Sequence, residues 1–504
     1  MSTAKLTSEP ATSEPDDGAQ GPLRAGPSER LAILLLILFS MSLYAVTVRF
    51  DFVYDDILLL TQNPYVDSFH YLKEIFTQEF WAFQGAQPRT GYYRPLVMLT
   101  LLVEKQLWGL RPEYFHFVNI LLNSLMVVLC YKLGKMLWPK GPGAFWGALL
   151  FASLPVHTEV VSPASGLSDL ECGILMLLAV LVYVRTRDLE GRKAFLAGCR
   201  VGGIFFLALL AKEVALMLPV LLIFYEHCVA EKKAPTLRSA VARYAPLLVL
   251  AGAYLALRYE VFGALVNIRP RPDSGLKALV LSGLMLLGQY ALVLVWPQHL
   301  TTYQPFRPPE SWANISVLLG GVSLLIGAAA FVRGWRSQRR LSFALMWIFL
   351  TLGPALDIRV LATPPYGERY LFIPSVAFCW LVGEGFATLA ASASLARGTR
   401  RLATAGIPAL IVVLMAARTL WRLPDWKNEV SLALATLRQA PNSGPFLIRL
   451  GNVYRLQGDI AKARQMYVAS LAGDVYVESY INLAGGPSWM RGRWLPRESF
   501  TSAR

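Results

Sequence analysis

Long apolar runs without charged residues constrain the fold of this chain more than any other feature. The first run covers eighteen residues, 31–48, and similar runs recur along most of the sequence. Of the 504 residues, 55% are hydrophobic and only 16% are charged, a balance that does not suit one soluble core. Because a bilayer core takes about 20 apolar residues in a helix, the sequence predicts an all-α, polytopic membrane protein.

Hydropathy and basic flanking residues together predict about eleven transmembrane helices. The positive-inside rule assigns the basic segments 185–193, 231–238 and 333–340 to the cytoplasm. To satisfy that rule, the run 278–296 is predicted to be re-entrant or interfacial, which leaves residues 297–312 outside. With the N-terminus in the cytoplasm, residues 49–114 are predicted to form an outer loop on the non-cytoplasmic side. The predicted crossings lie near residues 31–48, 115–133, 144–161, 170–185, 194–211, 213–228, 242–258, 313–332, 341–356, 370–390 and 404–421.

The two ends of the chain differ from this apolar middle. Residues 1–30 are rich in Ser, Pro, Gly and acidic residues and show no periodicity, so they are predicted to form a disordered cytoplasmic tail. Residues 485–504 show no repeat pattern and are predicted to be an irregular tail. The transmembrane domain is therefore expected to cover 31–421.

Residues 425–484 are predicted to form partial tetratricopeptide repeats. Gly451, Tyr454, Ala463 and Tyr467 match the small and aromatic positions of this repeat of about 34 residues, where small residues let two helices approach. A further repeat is expected to begin at 480–484. The alternative is an unrelated helical hairpin.

Charge and cysteine content exclude two classes of protein. The net charge of +15 would suggest a nucleic-acid partner in a soluble protein, but basic residues flanking one side of the spans account for much of it, so no nucleic-acid partner is predicted. The five cysteines lie in or beside apolar runs without CxxC pairing. They are predicted to be small buried side chains, not a disulfide framework.

Several motifs in a fixed order resemble one enzyme family. The stretches "FVYDDILLLTQNPYV", "YYRPLVMLT", "LPVHTEVVSPASGLSD", "LLAKE" and "GERYLFIPSVAFC" are similar to those of the transmembrane and tetratricopeptide-repeat O-mannosyltransferases and their bacterial-type relatives, over about residues 45–484. The resemblance implies a C-type glycosyltransferase fold. It also implies a sugar donor on a polyprenyl-phosphate carrier, used on the outer or lumenal face. One departure is Leu167, where the family commonly has an arginine.

The acidic pair Asp55 and Asp56 is the candidate catalytic site. Direct displacement by a Ser or Thr hydroxyl needs a base, and a carboxylate near a membrane surface acquires a raised pKa through desolvation and a like-charged neighbour. The resemblance implies that Asp55 is this base and that Asp56 orients it or the acceptor. The alternative is an ordinary solvated loop.

A lipid phosphate leaving group requires positive charge. The candidates are Arg94, Lys212, Arg258 and Arg369, of which Arg369 and Lys212 are preferred. For Arg258 the alternative is a snorkelling side chain at the interface. For Lys212 it is a polar turn completed by Glu213, although an ionisable pair within a long apolar region is usually functional.

Further polar residues are expected to position the sugar or the acceptor. For Asp169 the alternative role is to cap a helix that begins at residue 170. The His-x-Glu spacing does not supply a tetrahedral zinc site, and neither a metal nor a cofactor is predicted. The candidate positioning residues are His157, Glu159, Asp169, Glu213 and Glu368.

The sequence thus predicts an integral membrane glycosyltransferase that moves a hexose, mannose by resemblance, to a Ser or Thr hydroxyl of an exported protein held by the repeats. Its expected partners are the polyprenyl-phosphate-linked sugar, the protein acceptor and membrane lipid. A bacterial inner membrane with a periplasm-facing site is expected, or the endoplasmic reticulum in a eukaryote. The alternative function is a non-enzymatic scaffold or transporter that presents repeats.

Overall fold

The computed structural model describes residues 27–85, 91–230, 236–266, 275–360, 365–391, 398 and 402–471. Within these ranges the regular secondary structure is helical. The expected tail at 1–30 lies almost entirely outside the described residues, as do the further repeat at 480–484 and the tail at 485–504. The α-helices are α1 Pro27–Tyr44, α2 Leu72–Thr77, α3 Pro95–Trp108, α4 Pro112–Leu137, α5 Gly143–Ser153, α6 Thr158–Val161, α7 Leu167–Thr186, α8 Gly191–Ala211, α9 Leu218–Cys228, α10 Leu237–Phe262, α11 Leu276–Val295, α12 Ile315–Ser337, α13 Arg339–Leu352, α14 Phe372–Ala391, α15 Ile407–Arg422, α16 Glu429–Gln439, α17 Gly444–Leu456 and α18 Ile460–Ser470.

Nine helical segments within the described ranges are long and apolar enough to cross a membrane. They are built around α1, α4, α7, α8, α10, α11, α12, α14 and α15. Helix α5 and the segment Pro155–Val161 form a pair bent by 50°, which makes a tenth crossing if the pair is one span. The prediction of an all-α polytopic membrane protein is confirmed.

Two predicted spans and one predicted re-entrant run differ from the structure in detail. The runs 213–228 and 341–356 contain the short helices α9 and α13 with 3₁₀ turns beside them, because Lys212 is extended and Pro354 removes a backbone donor where α13 would continue. The run 278–296 was expected to be re-entrant or interfacial. It forms the unbroken helix α11, so the structure contradicts a re-entrant turn there.

Helix starts follow local sequence signals. Proline occupies the first turn of α3 and α4, where its missing N–H costs no hydrogen bond. Asn314 caps α12 by accepting hydrogen bonds from the first-turn amides, and Asn428 caps α16 in a capping box with Ser431. These caps fix where each helix begins and hence where the connecting loops converge.

Close helix packing in the centre of the bundle depends on glycine. A methyl group at Gly147 of α5 would lie 2.7 Å from the carbonyl oxygen of Cys379 on α14. One at Gly383 of α14 would overlap the backbone of Gly143. Without a hydrophobic force between helices in lipid, such backbone approach supplies the contact. Gly147 and Gly383 therefore bring the backbones of α5 and α14 into direct contact.

The C-terminal helices form a separate hydrophobic cluster against the loop after α1. Leu432 and Phe446 pack in one cluster with Tyr44 and Val53. A methyl group at Gly451 of α17 would lie only 2.6 Å from the ring of Tyr467 on α18. This contact matches the small-residue requirement on which the repeat prediction depended.

Candidate active site

A polar cavity of about 320 Å³ lies where the loop after α1, the segment before α3, the start of α7 and the segment before α14 meet. Six residues singled out by the sequence line it, although they come from distant parts of the chain. We call this space the polar cavity. Those six residues are Asp55, Arg94, Glu159, Asp169, Lys212 and Arg369.

The two acids of the doublet face different surroundings. The Asp56 side chain is fully buried and accepts hydrogen bonds from the backbone N–H groups of Ser165 at 2.7 Å, Ala164 at 3.1 Å and Val53 at 3.3 Å. Asp55 lines the polar cavity, and no hydrogen bond or ion pair from the described residues engages its carboxylate. Asp55 is thus available to a ligand, whereas Asp56 is committed to the backbone.

Burial affects the protonation of both acids. It raises the pKa of Asp56 from 3.8 to about 6, although the hydrogen bonds from Ser165, Val53 and Ala164 oppose the shift. Burial also raises the pKa of Asp55, against the opposing charges of Arg369, Arg449 and Arg94. A raised pKa makes a carboxylate a better proton acceptor at neutral pH.

Two ion pairs bring the preferred cations to the wall of the polar cavity. Lys212 Nζ lies 2.5 Å from Asp169 Oδ1, with both side chains buried. Arg369 Nη1 lies 3.3 Å from Glu159 Oε1, and its backbone N–H donates to Glu159 Oε2 at 3.0 Å. The Arg369 side chain remains 34% exposed, so part of the guanidinium is accessible to a ligand.

Arg94 joins the polar cavity to a second, mostly apolar groove of about 280 Å³. Its Nη2 lies 3.2 Å from Glu213 Oε2, and its guanidinium stacks 4.4 Å from the ring centre of Tyr92. Burial raises the pKa of Glu213, but Arg94, Arg258 and Lys212 outweigh it and hold the pKa below its usual value. The two spaces share the wall residues Tyr92, Arg94, Asp169, Lys212 and Tyr370.

Arg258 lines the apolar groove and not the polar cavity. Its guanidinium donates to the carbonyl oxygens of Gly91 at 3.2 Å and Leu265 at 3.3 Å. The side chain is buried, so the snorkelling alternative is wrong. Arg258 instead ties two backbone segments together at the edge of the groove.

Three further predicted site residues line neither the polar cavity nor the apolar groove. His157 is buried between the rings of Phe151 and Phe372, and its Nε2 lies 2.9 Å from Ser375 Oγ. The buried Glu368 carboxylate accepts a hydrogen bond from the backbone N–H of Thr301. Asp56 is bound to backbone amides as described. The structure thus places His157 and Glu368 outside the lining of the polar cavity, and their role in positioning a sugar or acceptor stays a prediction.

The alternative role of Asp169 is also wrong. Helix α7 begins at Leu167, so Asp169 lies inside its first turn and does not cap it. The carboxylate pairs with Lys212 instead. An acid in the first turn of a helix is favourable for the helix dipole, and here it also holds a cation at the cavity.

Sequence reasoning missed the aromatic wall of the polar cavity and its contact with the C-terminal helices. Several of these aromatic residues flank predicted cations in "YYRPL" and "YGERY", which is the signal that would have found them. Cations stacked on aromatic faces gain about 0.5–2 kcal/mol. The aromatic wall consists of Tyr54, Phe80, Trp81, Tyr92, Tyr366, Tyr370 and Trp426.

Tyr54 is the one non-glycine residue with a positive φ, 55°, in the described ranges. A left-handed backbone costs a residue with a Cβ about 1–2 kcal/mol. Contacts from the C-terminal helices hold it in place. Glu429 Oε2 accepts a hydrogen bond from the Tyr54 N–H at 2.9 Å, and the ring stacks on Phe446 with ring centres 5.7 Å apart.

Comparison with known proteins gives sequence relatives that are named protein O-mannosyl-transferases, although no family model matches the chain. Protein O-mannosyl-transferase F38B6.6 of Caenorhabditis elegans is 26% identical over 475 residues, 90% of this chain and 64% of that protein. Protein O-mannosyl-transferase Tmtc3 of Drosophila melanogaster is 24% identical over 90% of this chain and 56% of its own length. Human protein O-mannosyl-transferase TMTC1 is 39% identical over 34% of this chain and 19% of its own length.

The chain is a homologue of protein O-mannosyl-transferases. The resemblance predicted from the motifs is thereby confirmed. The chain spans less than two thirds of the length of these relatives. Among solved structures, the apo oligosaccharyltransferase of Archaeoglobus fulgidus aligns with a TM-score of 0.41 at 13% identity, over 81% of this chain and 56% of that one.

In this mannosyl-transferase homologue, the arrangement supplies three chemical functions side by side. Asp55 offers a free carboxylate, the cations offer charge for an anionic group, and the groove offers an apolar surface for a hydrocarbon chain. The described residues contain no group of three or more His, Cys, Asp or Glu side chains arranged to hold a metal ion.

Proposed function

We propose that the chain is an integral membrane glycosyltransferase that transfers a hexose, mannose in the first instance, from a polyprenyl-phosphate carrier to a Ser or Thr hydroxyl of a protein. The observation that carries this proposal is the pair of adjoining spaces. An acidic and cationic cavity opens onto an apolar groove, and the two share Arg94, Asp169 and Lys212. A lipid-linked sugar phosphate likewise has a polar sugar and an anionic phosphate next to an apolar hydrocarbon chain.

Asp55 acts as the general base in this proposal. Its carboxylate takes the proton of the acceptor hydroxyl while the hydroxyl oxygen forms a bond to the anomeric carbon. The bond from that carbon to the phosphate oxygen breaks, and the electron pair leaves with the phosphate. General-base catalysis of this kind contributes about 10²–10⁴-fold to the rate.

Arg369 and Lys212 receive the negative charge of the leaving phosphate. Arg369 offers a partly exposed guanidinium that reaches phosphate oxygens in pairs, and Lys212 offers a point charge. Their carboxylate partners Glu159 and Asp169 hold the two cations in position before the donor arrives. Such preorganisation lowers the cost of reorganising charge in the transition state.

The hydrocarbon chain of the donor occupies the apolar groove. Arg258 and Glu213 also line this groove, together with the shared wall residues. Burial of a prenyl chain contributes about 25 cal/mol per Å² of apolar surface removed from water. The groove residues that would contact it include Val214, Leu216, Met217, Leu255 and Leu265.

The acceptor protein approaches through the cleft beside the C-terminal helices. This cleft of about 370 Å³ lies between residues 299–305 and the end of α16. Thr302 lines the polar cavity, whereas its neighbours Thr301 and Tyr303 line the cleft, so one short segment separates the two spaces. In this proposal the C-terminal helices are partial tetratricopeptide repeats that hold the acceptor.

The reaction takes place on the non-cytoplasmic face. The basic segments 185–193 and 333–340 lie at the ends of α7 and α12, and the positive-inside rule assigns them to the cytoplasm. The membrane is the bacterial inner membrane with the site in the periplasm, or the endoplasmic reticulum in a eukaryotic cell.

The test uses purified wild-type protein, polyprenyl-phosphate-mannose and an acceptor protein, with release of polyprenyl phosphate and mannosylated product both measured. Asp55→Asn is expected to lose about 10²–10⁴-fold in turnover. Asp51→Asn is the matched control, because it removes an exposed acid of the same loop. If wild type and Asp55→Asn release phosphate at one background rate with mannose, glucose and other hexose donors, the proposal is wrong and a scaffold role is favoured.

A further inference from the structure

The C-terminal helices contact the backbone immediately before the proposed base. Arg449 on α17 lies 2.7 Å from Glu429 on α16, and both touch Tyr54. Glu429 accepts from the Tyr54 N–H, while Arg449 Nη1 donates to the Tyr54 carbonyl oxygen at 3.4 Å. The Arg449 guanidinium also stands 4.6 Å from the centre of the Tyr54 ring. One ion pair thus binds the N–H, the carbonyl and the ring of a single residue.

These contacts have a specific effect because Tyr54 is strained. A tyrosine free of restraint rarely adopts a φ of 55°, so the surrounding structure must hold it there. The φ and ψ of Tyr54 set the direction in which the next residue, Asp55, leaves the chain. Releasing Tyr54 would therefore turn Asp55 away from the polar cavity.

Asp55 is held from its other side as well. The Asp56 carboxylate is fixed to the backbone amides of Ala164 and Ser165. The base consequently stands between two anchors, one in the membrane domain and one in the C-terminal helices. Only the second anchor belongs to the part of the chain proposed to hold the acceptor.

We infer that Arg449 and Glu429 are positioning residues that orient Asp55 through Tyr54, so that the C-terminal helices set the competence of the base. This inference rests on the proposed function of Asp55. It makes the catalytic site incomplete without the C-terminal helices, and it couples any movement of those helices to catalysis.

The charges of Arg449 and Glu429 should affect the pKa of Asp55, which a purely structural contact would not do. Burial raises the pKa of Asp55; among the nearby charges, Arg369, Arg449 and Arg94 lower this pKa, whereas Glu429 raises it further. Removing the charge of Arg449 should raise the Asp55 pKa, and removing that of Glu429 should lower it. A base works only when deprotonated, so the acid limb of the rate profile should move in opposite directions in the two variants.

The experiment measures kcat, KM for the donor and the pH profile for full-length Arg449→Ala, Arg449→Lys and Glu429→Gln. Arg464→Ala is the control, because it removes an exposed arginine of α18. We expect kcat to fall about tenfold to a hundredfold in Arg449→Ala, with an unchanged KM. The acid limb should move to higher pH in Arg449→Ala and to lower pH in Glu429→Gln. It should stay near the wild-type position in Arg449→Lys, which keeps the charge.

Hydrogen exchange of the segment 51–56 supplies a second measurement that needs no activity. The Tyr54 amide should exchange faster in Glu429→Ala, which removes its acceptor, and in Arg449→Ala than in wild type. Unchanged exchange overturns the anchor, and faster exchange with wild-type kcat and pH profile overturns the positioning role. An inactive wild type with faster exchange in both variants retains the anchor but rejects the proposed function, and the base role with it.

Discussion

Asp56 binds Ser165 across two loops, with Oδ1 accepting a hydrogen bond from the Ser165 backbone N–H at 2.7 Å. The second oxygen accepts from Ala164 at 3.1 Å. One buried carboxylate thereby joins the loop after α1 to the turn that begins α7. Because Asp55 is its immediate neighbour and Asp169 lies in the first turn of α7, the link sets the geometry of the polar cavity.

The two acids of the doublet should differ in their effect on stability. Asp56→Ala leaves the buried N–H groups of Ala164 and Ser165 without their acceptor, so we expect a loss of about 2–3 kcal/mol. Asp55→Ala removes a carboxylate that no described residue engages, and it should leave stability close to wild type. Thermal unfolding in one detergent, followed by circular dichroism, compares the two. Equal unfolding temperatures for both variants would contradict the assignment of Asp56 to the backbone.

Asp56 should also make stability depend on pH. Burial raises its pKa from 3.8 to about 6 in the folded protein, so the folded state binds the proton more tightly than the unfolded state. The contribution of this group to stability therefore rises as the pH falls from about 7 to 4, by about 2 kcal/mol. Asn does not titrate at this position. The unfolding temperature of wild type should therefore rise relative to that of Asp56→Asn as the pH falls from 7 to 4. A difference that stays constant from pH 7 to pH 4 would contradict the raised pKa.

The sequence was sufficient to predict the charged residues that line the cavity, but not that Asp55 faces the cavity while Asp56 binds backbone amides. Lys212 and Arg369 were found because charged residues inside or beside apolar runs are costly and thus conspicuous. The roles of Asp55 and Asp56 depend on amides more than 100 residues away, at Ala164 and Ser165. No local pattern encodes such a contact.

Two further limits have physical causes. His157 stands in a polar motif, yet Phe151 and Phe372 enclose it, and the second of these is distant in sequence. Crossing number was overestimated where 3₁₀ turns extend an apolar run beyond its α-helix, as at Gly353–Leu356. Hydropathy reports apolar length, whereas the length of a helix also depends on where backbone donors are lost.

Removing one partner of the Lys212–Asp169 ion pair should lower the stability of the protein more than removing both partners. Lys212→Met leaves the buried Asp169 charge unpaired, and we expect a loss of about 3–5 kcal/mol. Adding Asp169→Asn should recover most of that stability, because no uncompensated charge remains. Donor turnover should stay low in the double variant, since the cation for the phosphate is still absent. Unfolding temperature and phosphate release are measured on the same preparations.

Lys193→Met is the control for this cycle, since it removes an exposed lysine of α8. It should leave both stability and turnover near wild type. If the double variant regains turnover along with stability, Lys212 serves the fold alone, and the leaving phosphate must be held by other cations.

The crossing of α11 and α12 should depend on one glycine and not on its neighbour. A methyl group at Gly320 would overlap the carbonyl oxygen of Leu284, whereas Gly321 has open space where its methyl would lie. Gly320→Ala should therefore cost about 1–3 kcal/mol through overpacking. Gly321→Ala should be neutral or slightly stabilising, because alanine favours the helix by up to about 1 kcal/mol. Thermal unfolding of the two variants in the same detergent gives the comparison, and equal stability would show that α11 and α12 do not pack through these residues.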